Sequence, residues 1–253
     1  MFDIINIARN GMGATQDNID IISNNIVNVN TVGYKRLDTK FEDLIRKSMK
    51  GDSFPINDKK TNIGTGSRAT EGVRCFNQGS LIKTDKNSNL AIDGKGLFRV
   101  IKNDNTYAYT RNGQFNVDSS GKLVDSNGNI LDMQFIGNNN YSNIGLKDNN
   151  FIINELGEVF VNDKKVANIN TYKSDGNMDF LSIGDNLYYP KKGTKISIEK
   201  NRNIMQGYTE MSNVNLVEEM TDLMTTQRAF QLTSKSFKVA DDMWSMINNL
   251  QSR

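Results

Sequence analysis

The chain contains no histidine, and that absence closes off most familiar chemistry. No Ser-His-Asp or Cys-His catalytic unit can be built, and no His-ligated zinc or haem site. A single cysteine, Cys75, excludes an internal disulfide and any cysteine cluster. There are two prolines in 253 residues, and no stretch approaches the roughly 20 apolar residues that span a bilayer. Net charge is small as well. The 31 basic and 29 acidic side chains leave +2 with the signs interspersed, which argues against a nucleic-acid partner. The amino terminus, Met1-Phe2-Asp3-Ile4-Ile5-Asn6-Ile7-Ala8-Arg9, lacks the basic start and apolar run of a secretory signal. The expectation is a soluble chain without membrane insertion and without a cofactor, which stays in the cytoplasm or leaves without a cleaved signal. Asparagine is what the chain has in excess, 36 residues of 253. Many of these belong in turns, because Asn tolerates positive φ and bonds its own backbone.

The two ends share a pattern. Ile5, Met12, Ile19 and Ile26 recur every seven residues; Ala8, Thr15, Ile22 and Val29 repeat them three residues later. An a/d seam of nearly four heptads predicts a coiled-coil helix, weakened by Gly11 and Gly13 at about 1 kcal/mol each relative to Ala. It is expected to stop between Asn28 and Gly33, with Gly33 as a C-cap. At the carboxyl end Leu216, Leu223, Phe230, Phe237 and Trp244 also recur every seven residues, behind Asn215 as N-cap with Glu218 at N3. Met224, Leu232, Val239, Met243, Met246 and Leu250 lie off that seam, so this helix is apolar on more than one side and predicts several neighbours.

The middle has no helical period. Leu97 to Ile101, Phe151 to Ile153 and Val159 to Val161 are β-type runs, and Asn112-Gly113, Ser120-Gly121, Asn127-Gly128 and Asp175-Gly176 are tight-turn signals. The predicted fold is therefore mixed α and β. Residues 1–33 and 207–253 supply helices that pair as a coiled coil, 34–67 form a connector, and 68–206 form an inserted all-β domain.

Motifs that would carry catalysis are incomplete. Asp93-Gly94-Lys95-Gly96 lacks the earlier glycine and following Ser/Thr of a phosphate loop, and Arg99 stands where a dinucleotide fingerprint needs glycine. Asp125-Ser126-Asn127-Gly128-Asn129 opens like a calcium loop, but Ile130 and Ile136 occupy its glycine and bidentate-acid positions. A carboxylate-dependent wall hydrolase needs no histidine, yet no two acids are singled out. A surface adhesin on helical stalks is a further rival. These features point to a structural subunit rather than an enzyme.

Four separated stretches carry a family resemblance. They are Ile22 through Asn24, Asn25, Asn28 and Asn30 to Gly33-Tyr34-Lys35-Arg36; Ala91 to Val100; Tyr109 to Phe115; and Ser212 to Met220 followed by Gln227-Arg228-Ala229-Phe230. Together they closely resemble bacterial flagellar basal-body rod and hook proteins. Phe41 to Leu44, Ile63 to Gly66 and Ile204 to Glu210 are most similar to the distal-rod branch; a proximal-rod or hook-type subunit is the alternative within the family. The resemblance implies export through the flagellum's own type III apparatus, and assembly of the chain with itself and with other rod and hook proteins. The product is a helical tube, a drive shaft for motility, with the terminal helices as its inner layer. Subunit contacts are then expected at Ile5, Met12, Ile19, Ile22 and Ile26 on the first helix, and at Leu216, Leu223, Phe230, Phe237 and Trp244 on the last. The shared motifs add Asn25, Asn28, Asn30, Gly33, Gln227 and Arg228.

Overall fold

At both ends of the chain the seven-residue repeat is realised as helix. The computed structural model describes residues 2–44, 46–48, 62–64, 66–70, 72–137, 140–147, 150–174, 176, 179–199 and 202–251. Helix α1 is Phe2–Val27, a single turn α2 is Tyr141–Ile144, and α3 is Leu216–Gln251. Asn215 caps α3, its side-chain oxygen accepting the Val217 amide at 3.2 Å. Glu218 and Glu219 in the first turn suit the positive end of the helix dipole. Helix α1 ends at Val27, before a stretch of Asn and β-branched residues that favour turns over helix. Gly33, expected as the C-cap, lies beyond that end in a separate turn with φ of 70°.

The chain divides into two units. One comprises Met1–Val27, Leu37–Val73 and Asn215–Arg253; the other comprises Asn28–Arg36 and Arg74–Val214.

In the helical unit α1 packs along α3. Three contacts define the register. A Cβ on Gly11 would lie 3.4 Å from Thr233 Cγ2, Asn18 donates to Thr226 Oγ1 at 3.2 Å, and Asn25 donates to Glu219 Oε2 at 3.1 Å. Each step forward by seven on α1 is a step back by seven on α3, so the helices run antiparallel. The line of closest approach is made of small and polar residues, not of the large apolar ones. Ala8, Ala14 and Ile22 are buried beside it, while Leu223, Phe230, Phe237 and Trp244 flank it half-buried. An antiparallel strand pair, Phe41–Asp43 with Ser67–Ala69, lies along α1.

The other unit is β. Among the described residues, nine strands form one antiparallel sheet. Its centre is Leu97–Ile101, paired with Tyr107–Thr110, Ile130–Leu131 and Thr171–Ser174. A second, four-stranded sheet runs in the order Gln134–Phe135, Lys164–Asn168, Glu158–Val161, Phe151–Ile153. Inward residues of both sheets share one core that includes Leu90, Phe98, Phe115, Leu131, Val159, Ile169 and Ile204. Each large side chain there contributes about 1.5–3 kcal/mol. Gly121 and Gly128 close hairpins as their motifs predict, donating to Asp118 and Asp125 carbonyls at 2.8 and 3.1 Å. Asn112-Gly113 does not close one. Gly113 instead passes so near Leu90 that a Cβ would sit 1.5 Å from its carbonyl oxygen, so glycine is required there for approach rather than for a turn. Asp175 lies outside the described residues.

Candidate functional site

A helix that buries one apolar stripe and leaves another exposed has an unfinished surface. On α3 the line facing α1 runs through Glu219, Thr226 and Thr233, with Leu223, Phe230, Phe237 and Trp244 half-buried beside it. A second stripe runs along positions 232, 236, 239, 243, 246 and 250, alternating steps of four and three. It carries Leu232, Val239, Met243, Met246 and Leu250, all exposed, Leu250 by 75%. Ser236 fills the remaining place, and its hydroxyl donates to the helix's own Leu232 carbonyl at 3.1 Å, so it offers no free donor. Val217, Met220 and Met224 are exposed on the first turns. An open groove of about 630 Å³ adjoins the second stripe, lined by Ile7, Gly11, Phe41, Glu42, Leu232 and Ser236 among others.

The residues singled out in the sequence are distributed over both units. Ile22 and Asn25 are buried within the helix pair, while Ile5, Met12, Ile19 and Ile26 are half-buried on one flank of α1. Asn25 also exchanges two hydrogen bonds with Leu37, its amide donating to the carbonyl and its oxygen accepting the backbone N–H, both at 2.9 Å. Leu216 is exposed, as are Gln227 and Arg228. Asn28, Asn30 and Gly33 belong to the β unit. There Thr31 bonds the Asn28 side chain at 3.1 Å, Asn30 is exposed, and Gly33 is buried with its N–H donating to the Glu210 carbonyl at 2.8 Å.

Glu210 is the residue that sequence reasoning did not pick out. Its carboxylate is buried, with Lys35 Nζ at 2.6 Å on Oε1 and Arg111 Nε on Oε2. Gly79 N–H also donates to Oε1 at 2.8 Å. Two cations against one anion leave an excess charge, which backbone dipoles absorb. Lys35 donates to the Asn77 carbonyl at 2.7 Å, and Arg111 to the carbonyls of Ile92 at 2.7 Å, Gly94 at 2.6 Å, and Gly96. Burial holds the Lys35 ammonium below its ordinary range, with the Glu210 charge pulling the other way. The available signal was opposite charges inside apolar runs, Tyr109-Thr110-Arg111 and Tyr208-Thr209-Glu210.

The same geometry disposes of two catalytic motifs. The Asp93 to Gly96 turn aims carbonyl oxygens at a guanidinium, the reverse of the N–H cradle a phosphate needs. Asp125 spends its carboxylate on the Asn127 and Asn129 amides and the Asn129 side chain, at 2.8–2.9 Å. Among the described residues no group of three His, Cys, Asp or Glu is placed to hold a metal, and no helix is long and apolar enough to cross a membrane.

The sequence is similar to known proteins along most of its length. Residues 5–35 match the family model described as flagella basal body rod protein, 91–161 the flagellar hook protein FlgE/F/G D1 domain, and 205–250 the flagellar basal body rod FlgEFG protein C-terminal. The chain is 34% identical to the flagellar basal-body rod protein FlgG of Buchnera aphidicola subsp. Schizaphis graminum, over 96% of this chain and 98% of that one. It is 32% identical to FlgG of Borreliella burgdorferi, over 96% and 97%. With FlgG of Bacillus subtilis the identity is 31%, over 95% and 96%.

Proposed function

The chain belongs to the flagellar basal-body rod protein family, and from that membership we propose how its two units build the rod. It is a structural subunit of the distal rod in the flagellar basal body, not an enzyme, and it assembles with other rod and hook proteins. Its relatives lend no support to a wall hydrolase.

In our reading α1 and α3 pair as an antiparallel coiled coil, and this pair is the polymerising element. The axial part corresponds to residues 1–33 and 207–253, the connector to 34–67 and the β body to 68–206. Copies of the chain stack head to tail in a contact that does not close on itself, which generates a helical tube. The expected subunit contacts on α1 and α3, Ile5 to Ile26 and Leu216 to Trp244, then lie within or beside the pair. The observation that carries the proposal is the second stripe on α3. Burying its five large residues against neighbouring copies contributes several kcal/mol per subunit, which offsets the cost of ordering side chains in the tube. The tube is the shaft that passes torque from motor to hook. The chain reaches it through the flagellar export apparatus.

The test is composition. Hook–basal bodies purified from cells producing a tagged chain should contain it in many copies, and a deletion should leave bodies without a complete rod. A chain absent from such bodies, or dispensable to them, would overturn the reading.

A further inference from the structure

We propose that Glu210 and Asn213 are the positioning residues of a load-bearing joint, which binds together the three segments through which the chain enters and leaves the β unit. The proposal rests on the rod reading above. The chain passes between the units at four places: after Val27, after Arg36, after Val73 and after Val214. Left to themselves, four single-chain crossings would each swivel about φ and ψ, and an applied twist would be lost in local rotation. On the β unit they are not left to themselves.

Asn213 ties two of the neighbouring segments to its own. Its side-chain oxygen accepts the Arg36 N–H at 2.7 Å, and its amide donates to the carbonyls of Cys75 at 2.9 Å and Asn77 at 3.0 Å. Cys75 N–H closes the ring on the Arg36 carbonyl at 2.9 Å, and the Arg74 guanidinium donates to the Lys35 carbonyl at 2.9 Å. One layer deeper Glu210 gathers the same segments by its carboxylate and its carbonyl. It takes Lys35 and Gly33 from the first, Gly79 from the second, and Arg111 from the sheet. Asn186 adds a bond from the sheet to the Val32 carbonyl at 3.0 Å.

This concentration has a physical meaning. Hydrogen bonds to buried ions are short and resist bending, and a network polarises its members. A buried ion network contributes little net stability compared with an apolar core, but it specifies one arrangement. A joint under twist needs a single arrangement. Glu210 and Asn213 sit four and one residues before the last crossing, so the covalent path to α3 starts from the knot itself.

The test uses the full-length chain with Asn213→Ala, which removes a neutral amide, and Glu210→Gln, which removes the central charge. In Asn213→Ala, hydrogen exchange at Arg36 and Cys75 should accelerate about tenfold, while Val100 and Ala108 in the sheet stay as in the natural chain. Cells carrying it should still yield hook–basal bodies containing the chain, yet lose at least about half their rotation rate under viscous load. Unchanged exchange overturns the proposal, as does faster exchange with full rotation under load. A folded Asn213→Ala chain that fails to enter the rod also overturns it, because the joint is assigned to load transfer and not to assembly. Absence of the natural chain from hook–basal bodies would instead overturn the rod reading. If Glu210→Gln does not fold, the combined change Lys35→Met, Arg111→Met and Glu210→Met removes all three charges and takes its place in the same measurements.

Discussion

Asn25 and Glu219 stand 194 positions apart in the chain and 3.1 Å apart in the fold, the asparagine amide donating to a carboxylate that is almost wholly buried. The same side chain also holds Leu37 by two backbone bonds. Asn25→Ala therefore removes one bond to a buried carboxylate and two bonds to backbone groups at once. Thermal or urea unfolding should show a loss of about 3 kcal/mol. Asn25→Asp should cost more, because it sets a second carboxylate beside Glu219. A loss below about 1 kcal/mol would mean these bonds are readily replaced by water.

Gly13 offers the opposite change. It lies on the exposed side of α1, and a Cβ there would meet nothing within 4 Å. Gly13→Ala should stabilise the isolated chain by about 0.5–1 kcal/mol through helix propensity alone. If such cells swim poorly while the purified protein is more stable, a neighbouring subunit approaches α1 at this glycine.

The exposed stripe of α3 separates folding from assembly. Val239→Lys and Met243→Lys place charges on a face already in water, so the stability of the free chain should shift by no more than about 0.5 kcal/mol. In the tube the same charges would be buried without partners. Loss of the rod from hook–basal bodies, with an unfolding curve like that of the natural chain, is the expected result. Normal rods would remove the stripe from the contact surface.

Alkaline pH addresses the β unit. Tyr188 is completely buried beside the Arg74 guanidinium, and burial pushes its pKa from 10.0 up to about 12. Tyr141 is raised further for the same reason, and the hydrogen bond its hydroxyl donates to the Leu131 carbonyl also favours the neutral form. The unfolded chain releases these protons first. Stability is therefore undiminished below pH 10 and falls as pH rises from 10 through about 12, by about 3 kcal/mol for Tyr188. Tyr188→Phe removes that tyrosine's share of the decline. The phenolate absorbance band and unfolding curves in alkali measure both effects.

These residues also show where sequence was informative. Heptads of large apolar residues marked both terminal helices, and Gly121 and Gly128 marked hairpins, because each depends on neighbours a few positions away. The line along which α1 meets α3 was not legible. Gly11, Asn18 and Asn25 look like weak points in a seam, and only their partners near the far end of the chain make them the contact. Glu210 was hidden for a related reason. An isolated glutamate reads as surface, and its role appears only when Lys35 and Arg111 arrive from distant segments. Asn112-Gly113 misled in the other direction, since a crowded backbone and a hairpin ask for the same residue.

The antiparallel register of α1 and α3 has a further consequence, in time rather than in space. Its three contacts join the first tenth of the chain to the last seventh. In a polypeptide emerging from one end, whichever end leads, the β hairpins can close early while the helix pair waits for the final residues. The helix pair is thus completed last, and an unfinished chain presents one helix without the other. Sequence separation alone acts as a delay, holding back the helix pair until the rest of the molecule has formed.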